Sequence, residues 1–433
     1  MDTEATAKGV ERHTMADNNT YVQHFLLDVH TAAAYAKDVL HYFDAQDELS
    51  CVEIGDGNIN YVFKVFSTTS GKSLVIKQAD TVLRSSGRPL DMQRNKREAE
   101  ILKIEWSLAP QYVPRVYHYD EAMFAIAMED ISAYKNLRKE LAAGKCFPAF
   151  SGDISSFLVD TLLPTTDLVM GRLEKKERVQ LFTNPELCDI SEDLVFTEPY
   201  NDYKHRNIIM PENRHFVEQV LYRDRALHAC VAKLRDDFMN HAQSLLHGDL
   251  HSGSIFINEH GMKVIDPEFA FYGPIGYDVG NVIGNLCFAY ANKYWTDYGN
   301  TAFLAWITQT IAEVLDGFKA KFEAKYDELV VFPLYRNEQF KREYIKRILA
   351  DSVGYAGTEI IRRVVGDAKV QELVSVTDKR IKMPLERSLV LLGKTFIKER
   401  NTLQHGADLI QAAEDMFSAC RGRFEEGASY ETV

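Results

Sequence analysis

The chain has 433 residues and a formal net charge of −13, with 46% hydrophobic, 26% charged and 11% aromatic residues. At roughly 150 residues per domain this predicts two or three domains, and the composition excludes extensive disorder. The acidic balance disfavours nucleic acid and anionic membrane surfaces, no run approaches the roughly 20 apolar residues that span a bilayer, and the first twenty residues lack an apolar signal region, so a soluble, cytoplasmic protein is expected.

Residues 1–20 are polar and aperiodic and read as a flexible arm. From Tyr21 to Phe43, apolar residues at Phe25, Leu26, Val29, Ala33, Ala36 and Leu40 recur at helical spacing, which predicts a helix. Three strand-like runs follow, Cys51 to Ile54, Tyr61 to Phe66 and Leu74 to Gln78, separated by turn compositions, and predict an antiparallel meander. A charged helical stretch from Asp91 to Leu108 and two apolar runs ending at Met128 complete a small sheet with one main helix. Beyond about Asp130 helical periodicity dominates, interrupted between Leu245 and Asp266. The expected class is α+β, with a mainly β first lobe over 21–130 and a larger mainly α lobe over 131–433. A crevice at their junction is the expected small-molecule site. The six cysteines are scattered singly, which reads as thiols in a reducing compartment rather than a disulfide or zinc framework.

Four features carry chemistry. Ile54-Gly55-Asp56-Gly57-Asn58-Ile59-Asn60 lies between two strands, where a glycine-rich tip can lay backbone N–H groups over phosphates or form a plain hairpin turn. Lys77 closes the apolar run Leu74-Val75-Ile76, and Glu98 supplies a helical carboxylate. Together they fit a kinase Lys–Glu pair that places the lysine on the α- and β-phosphates, or else an edge lysine and a solvated helix face. The most specific stretch is Leu246-His247-Gly248-Asp249-Leu250-His251-Ser252-Gly253-Ser254, followed by Val264-Ile265-Asp266-Pro267-Glu268-Phe269. Two acidic centres, each at the end of an apolar strand and joined by a hairpin, can converge so that one accepts a proton from an attacking hydroxyl and the other holds Mg²⁺. In an extended segment residues i and i+2 share a face, which predicts that Asp266 and Glu268 point to one metal. Finally, Ile345, Leu349, Ser352, Ala356 and Ile360 form a helical stripe with Arg363 near its centre at about 100° per residue. A guanidinium there needs an anion or hydroxyls, or makes an ordinary salt bridge, and Arg362 points away from it.

These residues resemble the protein-kinase-like phosphotransferases of small molecules, the group containing aminoglycoside and choline kinases. His247 to His251 is similar to their catalytic loop, and Gly276-Tyr277-Asp278-Val279-Gly280 to their buttressing aspartate. Within the group the chain resembles the S-methyl-5-thioribose kinase family, through Gly55 to Asn60, Asn184 to Cys188, Ser191 to Pro199, His247 to Ser254, Asp266 to Pro274 and the twin arginines. The resemblance implies a bilobal kinase-like fold, ATP and Mg²⁺ as cofactors, a homodimer, and phosphorylation of the anomeric hydroxyl of methylthioribose in methionine salvage. It assigns Asp249 as the catalytic base. Gly55, Gly57, Asn58, Asn60, Lys77, Glu98, Asp266 and Glu268 fall to ATP, with the backbone of Glu129, Asp130 and Ile131 at the adenine edge. Asp249, His251, Arg362 and Arg363 fall to the sugar, and Asp266 and Glu268 to the metal, with Ser254 standing where the wider pattern has an asparagine. A choline- or aminoglycoside-type kinase and a non-catalytic nucleotide-binding scaffold are the alternatives. The flanking His247 and His251 are expected to hold the loop or line the sugar site rather than act as base.

Overall fold

The computed structural model describes residues 21–55, 60–81 and 91–425; the arm 1–20 and, in the glycine turn, Gly57 and Asn58 lie outside them. The described chain divides into two compact units. One runs to Ala99 and takes in Val116–Asp130; the other comprises Glu100–Arg115 and everything from Ile131 onward. Residues 100–115 therefore group with the second unit rather than with the first, where the chain-order reading put them.

The first unit is a five-stranded antiparallel sheet, β1 (Leu49–Glu53), β2 (Tyr61–Ser67), β3 (Ser73–Gln78), β4 (Val116–Asp120) and β5 (Ala125–Glu129), in the order β1-β2-β3-β5-β4. The predicted meander is its first three strands. Alternation puts Phe63, Val65, Leu74 and Ile76 on one face, where they pack with Tyr35, Ala32 and Leu27 in a buried cluster. The helix over that face, α1 (Val29–Asp38), is shorter than the predicted 21–43. Asp28 caps it by accepting from the His30 and Thr31 N–H groups, while its own N–H donates to the Thr31 hydroxyl, so the chain before it cannot continue the helix. Tyr21, Phe25 and Leu27 still pack on the core, which explains the apolar pattern that extended the prediction. Helix α2 (Gln93–Leu108) starts in this unit and continues into the second.

The second unit opens with β6 (Lys135–Asn136), α3 (Leu137–Ala142), α4 (Phe150–Leu162), α5 (Arg172–Leu181), α6 (Pro185–Phe196), α7 (Glu198–Asn201), α8 (Arg214–Val217) and α9 (Arg225–Asn240). Then come the short strands β7 (Ser244–Leu245), β8 (Ile255–Asn258), β9 (Gly261–Val264) and β10 (Tyr272–Gly273), the predicted interruption. Helices α10 (Gly276–Thr296), α11 (Thr301–Leu329), α12 (Glu338–Val365), α13 (Gln371–Val374), α14 (Lys379–Glu399) and α15 (Gly406–Glu425) complete it. The unit's organiser is α10, buried along nearly its whole length and packed against α11, α12 and α14. Gly276 and Gly280 let α12 come close: a Cβ on either would stand 2.6 Å from the Ser352 backbone. That contact sets the register in which α12 presents its last turn to the loops before α10. Among the described residues no helix is long and apolar enough to cross a membrane.

Candidate active site

In the first unit Lys77 stands on β3, the central strand, flanked by β2 and β5, so it is no edge lysine. Alternation turns it to the face opposite Leu74 and Ile76, where its Nζ meets Glu98 Oε1 of α2 at 2.7 Å. The lysine side chain is 9% exposed and the glutamate 1%, so each charge depends on the other. Lys64 of β2 makes a 2.9 Å pair with Asp130. Asn60 uses its Oδ1 to accept from Arg94 Nη2 at 3.0 Å, and Arg94 also donates to the carbonyls of Asp80 and Asp91. Gly55 is exposed at the end of the described part of the turn. Glu129 ends β5 opposite Leu74.

The second unit holds the rest, with Ile131 at its start accepting from the Tyr134 N–H at 2.8 Å. The loop between β7 and β8 carries Asp249. Gly248 sits at φ +83°, and a Cβ there would overlap the Phe269 carbonyl, so glycine is needed for the loop to press on the segment after β9. Asp278, in the first turn of α10, accepts from the N–H groups of His247 at 2.7 Å and Gly248 at 3.0 Å, as the kinase-like motif implied. The His247 Nε2 lies 2.9 Å from the Ile265 carbonyl, which can only accept. Its Nδ1 therefore takes the Asp249 N–H, and the ring ties the loop to the strand end before Asp266.

His251 Nδ1 accepts from the Ser254 N–H at 3.0 Å, so the ring proton is on Nε2, which faces Asp249 Oδ2 at 3.5 Å. Burial lowers the His251 pKa to about 4, so the ring is neutral at pH 7. Ser254 donates its hydroxyl to the Asp249 carbonyl at 3.1 Å, and so supports the loop from beneath.

The twin arginines converge on the same carboxylate. Arg362 and Arg363 bring Nη2 atoms to 3.8 and 3.9 Å from Asp249 Oδ1. Both turn their Nε atoms to Glu359, one helical turn earlier and 1% exposed; Arg363 bonds it at 3.0 Å and Arg362 more closely. The salt bridge weighed from sequence thus exists and serves the site: it fixes the inner edge of both guanidiniums and leaves the outer edges toward Asp249. Glu359 also accepts from Asn285 Nδ2 of α10 at 3.2 Å, and Asn285 Oδ1 receives the Ser252 N–H and hydroxyl. Burial works to raise the Asp249 pKa, but His251, Arg363 and Arg362 hold it down to about 2. Above about pH 4 His251 is neutral, so at neutral pH the arginines carry that stabilisation.

The segment after β9 departs from the extended geometry expected of it. Asp266 lies in the left-handed region at φ +63°, so strand alternation does not set the directions of Asp266 and Glu268. Asn184 shapes this segment instead: it is buried, and its Nδ2 donates to the carbonyls of Glu268 at 3.0 Å and Ala270 at 3.1 Å. Among the described residues no group of three His, Cys, Asp or Glu side chains is placed to hold a metal ion. Asp266 and the nearly buried Glu268 are both carboxylates, hard oxygen donors of the kind that suit Mg²⁺, an ion that keeps phosphate oxygens and water as its other ligands.

Residues 173–313 match the phosphotransferase enzyme family (APH). The chain is 38% identical to a methylthioribose kinase of Geobacillus sp. (strain WCH70) over 84% of this chain and 90% of that one. It is 35% identical to a methylthioribose kinase of Yersinia enterocolitica over 88% and 96%. The chain belongs to the methylthioribose kinase family. Among solved structures it aligns with an ethanolamine kinase of Plasmodium vivax at 15% identity and a TM-score of 0.44, covering 94% and 92% of the two chains.

Within this family member, Glu359, Asn285 and Arg138 escaped the sequence reading. Glu359 could have been found, since a carboxylate three and four residues before a pair of arginines shares their helix face. Asn285 and Arg138 had no such signal: only the packing of α10 and α3 against the Asp249 loop reveals them.

Proposed function

We propose that this chain transfers the γ-phosphoryl group of ATP to the anomeric hydroxyl of S-methyl-5-thioribose, giving the 1-phosphate of methionine salvage. The observation that carries the mechanism is the ionised Asp249 carboxylate, held between the neutral His251 and two guanidiniums that share Glu359. In that setting Asp249 orients the acceptor hydroxyl and takes its proton as the O–P bond forms. A carboxylate with a pKa of about 2 is a weak base, so its main contribution is orientation, with the proton moving late. The outer edges of Arg362 and Arg363 offer N–H donors to the transferred group and the sugar. Lys77, held by Glu98, carries the cation for the α- and β-phosphates, joined by the glycine turn from Gly55 to Asn60. The backbone of Glu129, Asp130 and Ile131 is proposed to read the adenine edge. Mg²⁺ held by Asp266 and Glu268 would neutralise charge on the phosphates. Ser254 has its hydroxyl proton on the Asp249 carbonyl and could lend that metal only an oxygen lone pair.

Cationic acceptors such as choline or an aminoglycoside are disfavoured, because the guanidiniums beside Asp249 would repel them. The proposed homodimer and cytoplasmic location belong to the same reading, and light scattering on the purified protein tests the former. ADP release measured with methylthioribose, ribose, choline and an aminoglycoside tests the function. Turnover should be confined to the thio-sugar, with ribose far weaker. Turnover of choline and not of the thio-sugar would sink the proposal, and nucleotide binding without any ADP release would favour a non-catalytic scaffold.

A further inference from the structure

Beyond the twin arginines, a second buried pair borders the same loop. Arg138, in the first turn of α3, donates its backbone N–H to the Ser252 carbonyl at 3.1 Å and its Nε to the Ser252 hydroxyl at 3.1 Å. Its Nη1 sits beside the His251 ring: a Cβ on Gly253 would lie 2.9 Å from His251 Cε1 and 3.2 Å from Arg138 Nη1. Its Nη2 is buried and has no hydrogen-bond partner among the described residues.

Glu372 approaches from the other side. After the twin arginines the chain folds back, with Arg363 Nη1 donating to the Ala368 carbonyl at 3.3 Å, and enters α13. Asn292 of α10 donates to the Glu372 carbonyl at 2.7 Å and pins the residue there. The residue is 2% exposed, and beyond its own backbone N–H its buried carboxylate oxygens have no hydrogen-bond partner among the described residues. Arg138 and Arg363 are the cations whose charge reaches it, yet neither is within ion-pair distance. Burial raises its pKa. A buried carboxyl group with no partner beyond its own backbone, within electrostatic reach of a guanidinium with a spare N–H, is costly unless something else supplies the missing donors and acceptor.

We propose that Glu372 and Arg138 form a hydroxyl-reading subsite of the acceptor site, in which the Glu372 carboxylate accepts from the vicinal ring hydroxyls of the sugar while Arg138 Nη2 donates to one of their oxygens. This rests on the proposed reading that a furanose presents its anomeric hydroxyl to Asp249. Two neighbouring carboxylate oxygens suit two neighbouring hydroxyls, and a site built to bond a hydroxyl rejects the analogue that lacks it. The pair thus selects acceptors by their diol, whereas Asp249 and the twin arginines act on the reacting hydroxyl.

The test compares ADP release from methylthioribose with that from its 2-deoxy and 3-deoxy analogues, in wild type and in Glu372→Gln. Wild-type turnover of methylthioribose itself settles the underlying reading independently. Given that turnover, each deoxy analogue should lose about 10- to 100-fold in kcat/KM, the scale of one hydrogen bond to a charged group. Glu372→Gln should lose a similar factor on methylthioribose, chiefly in KM, and little further on the deoxy analogues, with ATP affinity unchanged. Wild-type turnover of both deoxy analogues at the parent kcat/KM would overturn the proposal and needs no variant. So would an unchanged KM for methylthioribose in Glu372→Gln, or an equal penalty on parent and deoxy sugars, either of which makes Glu372 a structural, water-filled group. Should Glu372→Gln fail to fold, Arg138→Lys serves in its place, with the same selective loss expected.

Discussion

Replacing Glu359 by Gln isolates the device that orders the twin arginines. The carboxylate has two oxygens for two Nε donors and one for Asn285, all in a site where it is 1% exposed. Glutamine keeps the shape but turns one of those acceptors into an N–H₂ donor, so one guanidinium loses its partner and faces a donor instead. The loss of one charge-assisted hydrogen bond is about 1.5–3 kcal/mol, and leaving a buried cation without its counter-charge brings the total to about 3–5 kcal/mol. Part of this falls on stability and lowers Tm. The part that falls on catalysis comes from the displaced arginine, whose misplaced donor should reduce kcat by about 100- to 1000-fold, the range for one transition-state donor. The loosened guanidiniums still have Asp249 within ion-pair distance, at 3.8 and 3.9 Å, and collapse onto it would shield the base as well. Nucleotide affinity should stay near wild type, since the Lys77–Glu98 pair lies in the other unit. The assay pairs thermal unfolding and ATP titration with ADP release. A folded Glu359→Gln protein with kcat within twofold of wild type would refute the claim that this carboxylate aims the arginines.

Asp249→Asn should keep ATP affinity and lose turnover by several orders of magnitude, and retained turnover in the ADP-release assay would remove Asp249 as the proton acceptor. Glu268→Gln should raise the Mg²⁺ concentration needed for half-maximal activity; an unchanged Mg²⁺ titration would place the metal elsewhere. Gly248→Ala should fold poorly or not at all, because its Cβ must displace the Phe269 carbonyl at a left-handed φ, and circular dichroism and Tm would show it. For pH, the folded-state pKa of His251, about 4, lies below its ordinary 6.5, so the unfolded chain binds the extra proton between those values. Stability should therefore fall as pH drops from about 6.5 to about 4, and again from about 3.8 to about 2 as Asp249 loses its advantage. His251→Gln should remove the upper step from a denaturation series, and an unaltered profile would mean that the imidazole is not buried as described.

The Lys77–Glu98 pair and the Asp249 loop were legible because each lies on a short local motif whose side chains the structure brings to charged partners. The class was legible because period-two and period-3.6 patterns separate a small sheet from long helices. Where the reading failed, nonlocal or capping interactions had decided the outcome. The Asp28–Thr31 capping box cut the first helix short although apolar residues continued before it. Asn184, 82 residues upstream of Asp266, holds the carbonyls of Glu268 and Ala270 in a segment that leaves extended geometry at Asp266. Residues 100–115 joined the second unit because Tyr112 caps β9, accepting from the Val264 N–H at 2.7 Å, an association invisible in chain order.

By itself, then, the sequence determined which groups are available for the proposed chemistry: the Asp249 carboxylate, a lysine with its glutamate, the carboxylates of Asp266 and Glu268, and two adjacent arginines. The tertiary structure alone decided how those groups are charged and aimed. The approach of α12 to α10 across Gly276 and Gly280 is what lets Glu359 reach Asn285, and through Ser252 the loop of Asp249. The same convergence brings Arg138 to that loop and buries the Glu372 carboxyl nearby. Residues far apart in sequence can set one another's ionisation and direction only once burial has removed the water that would otherwise screen them.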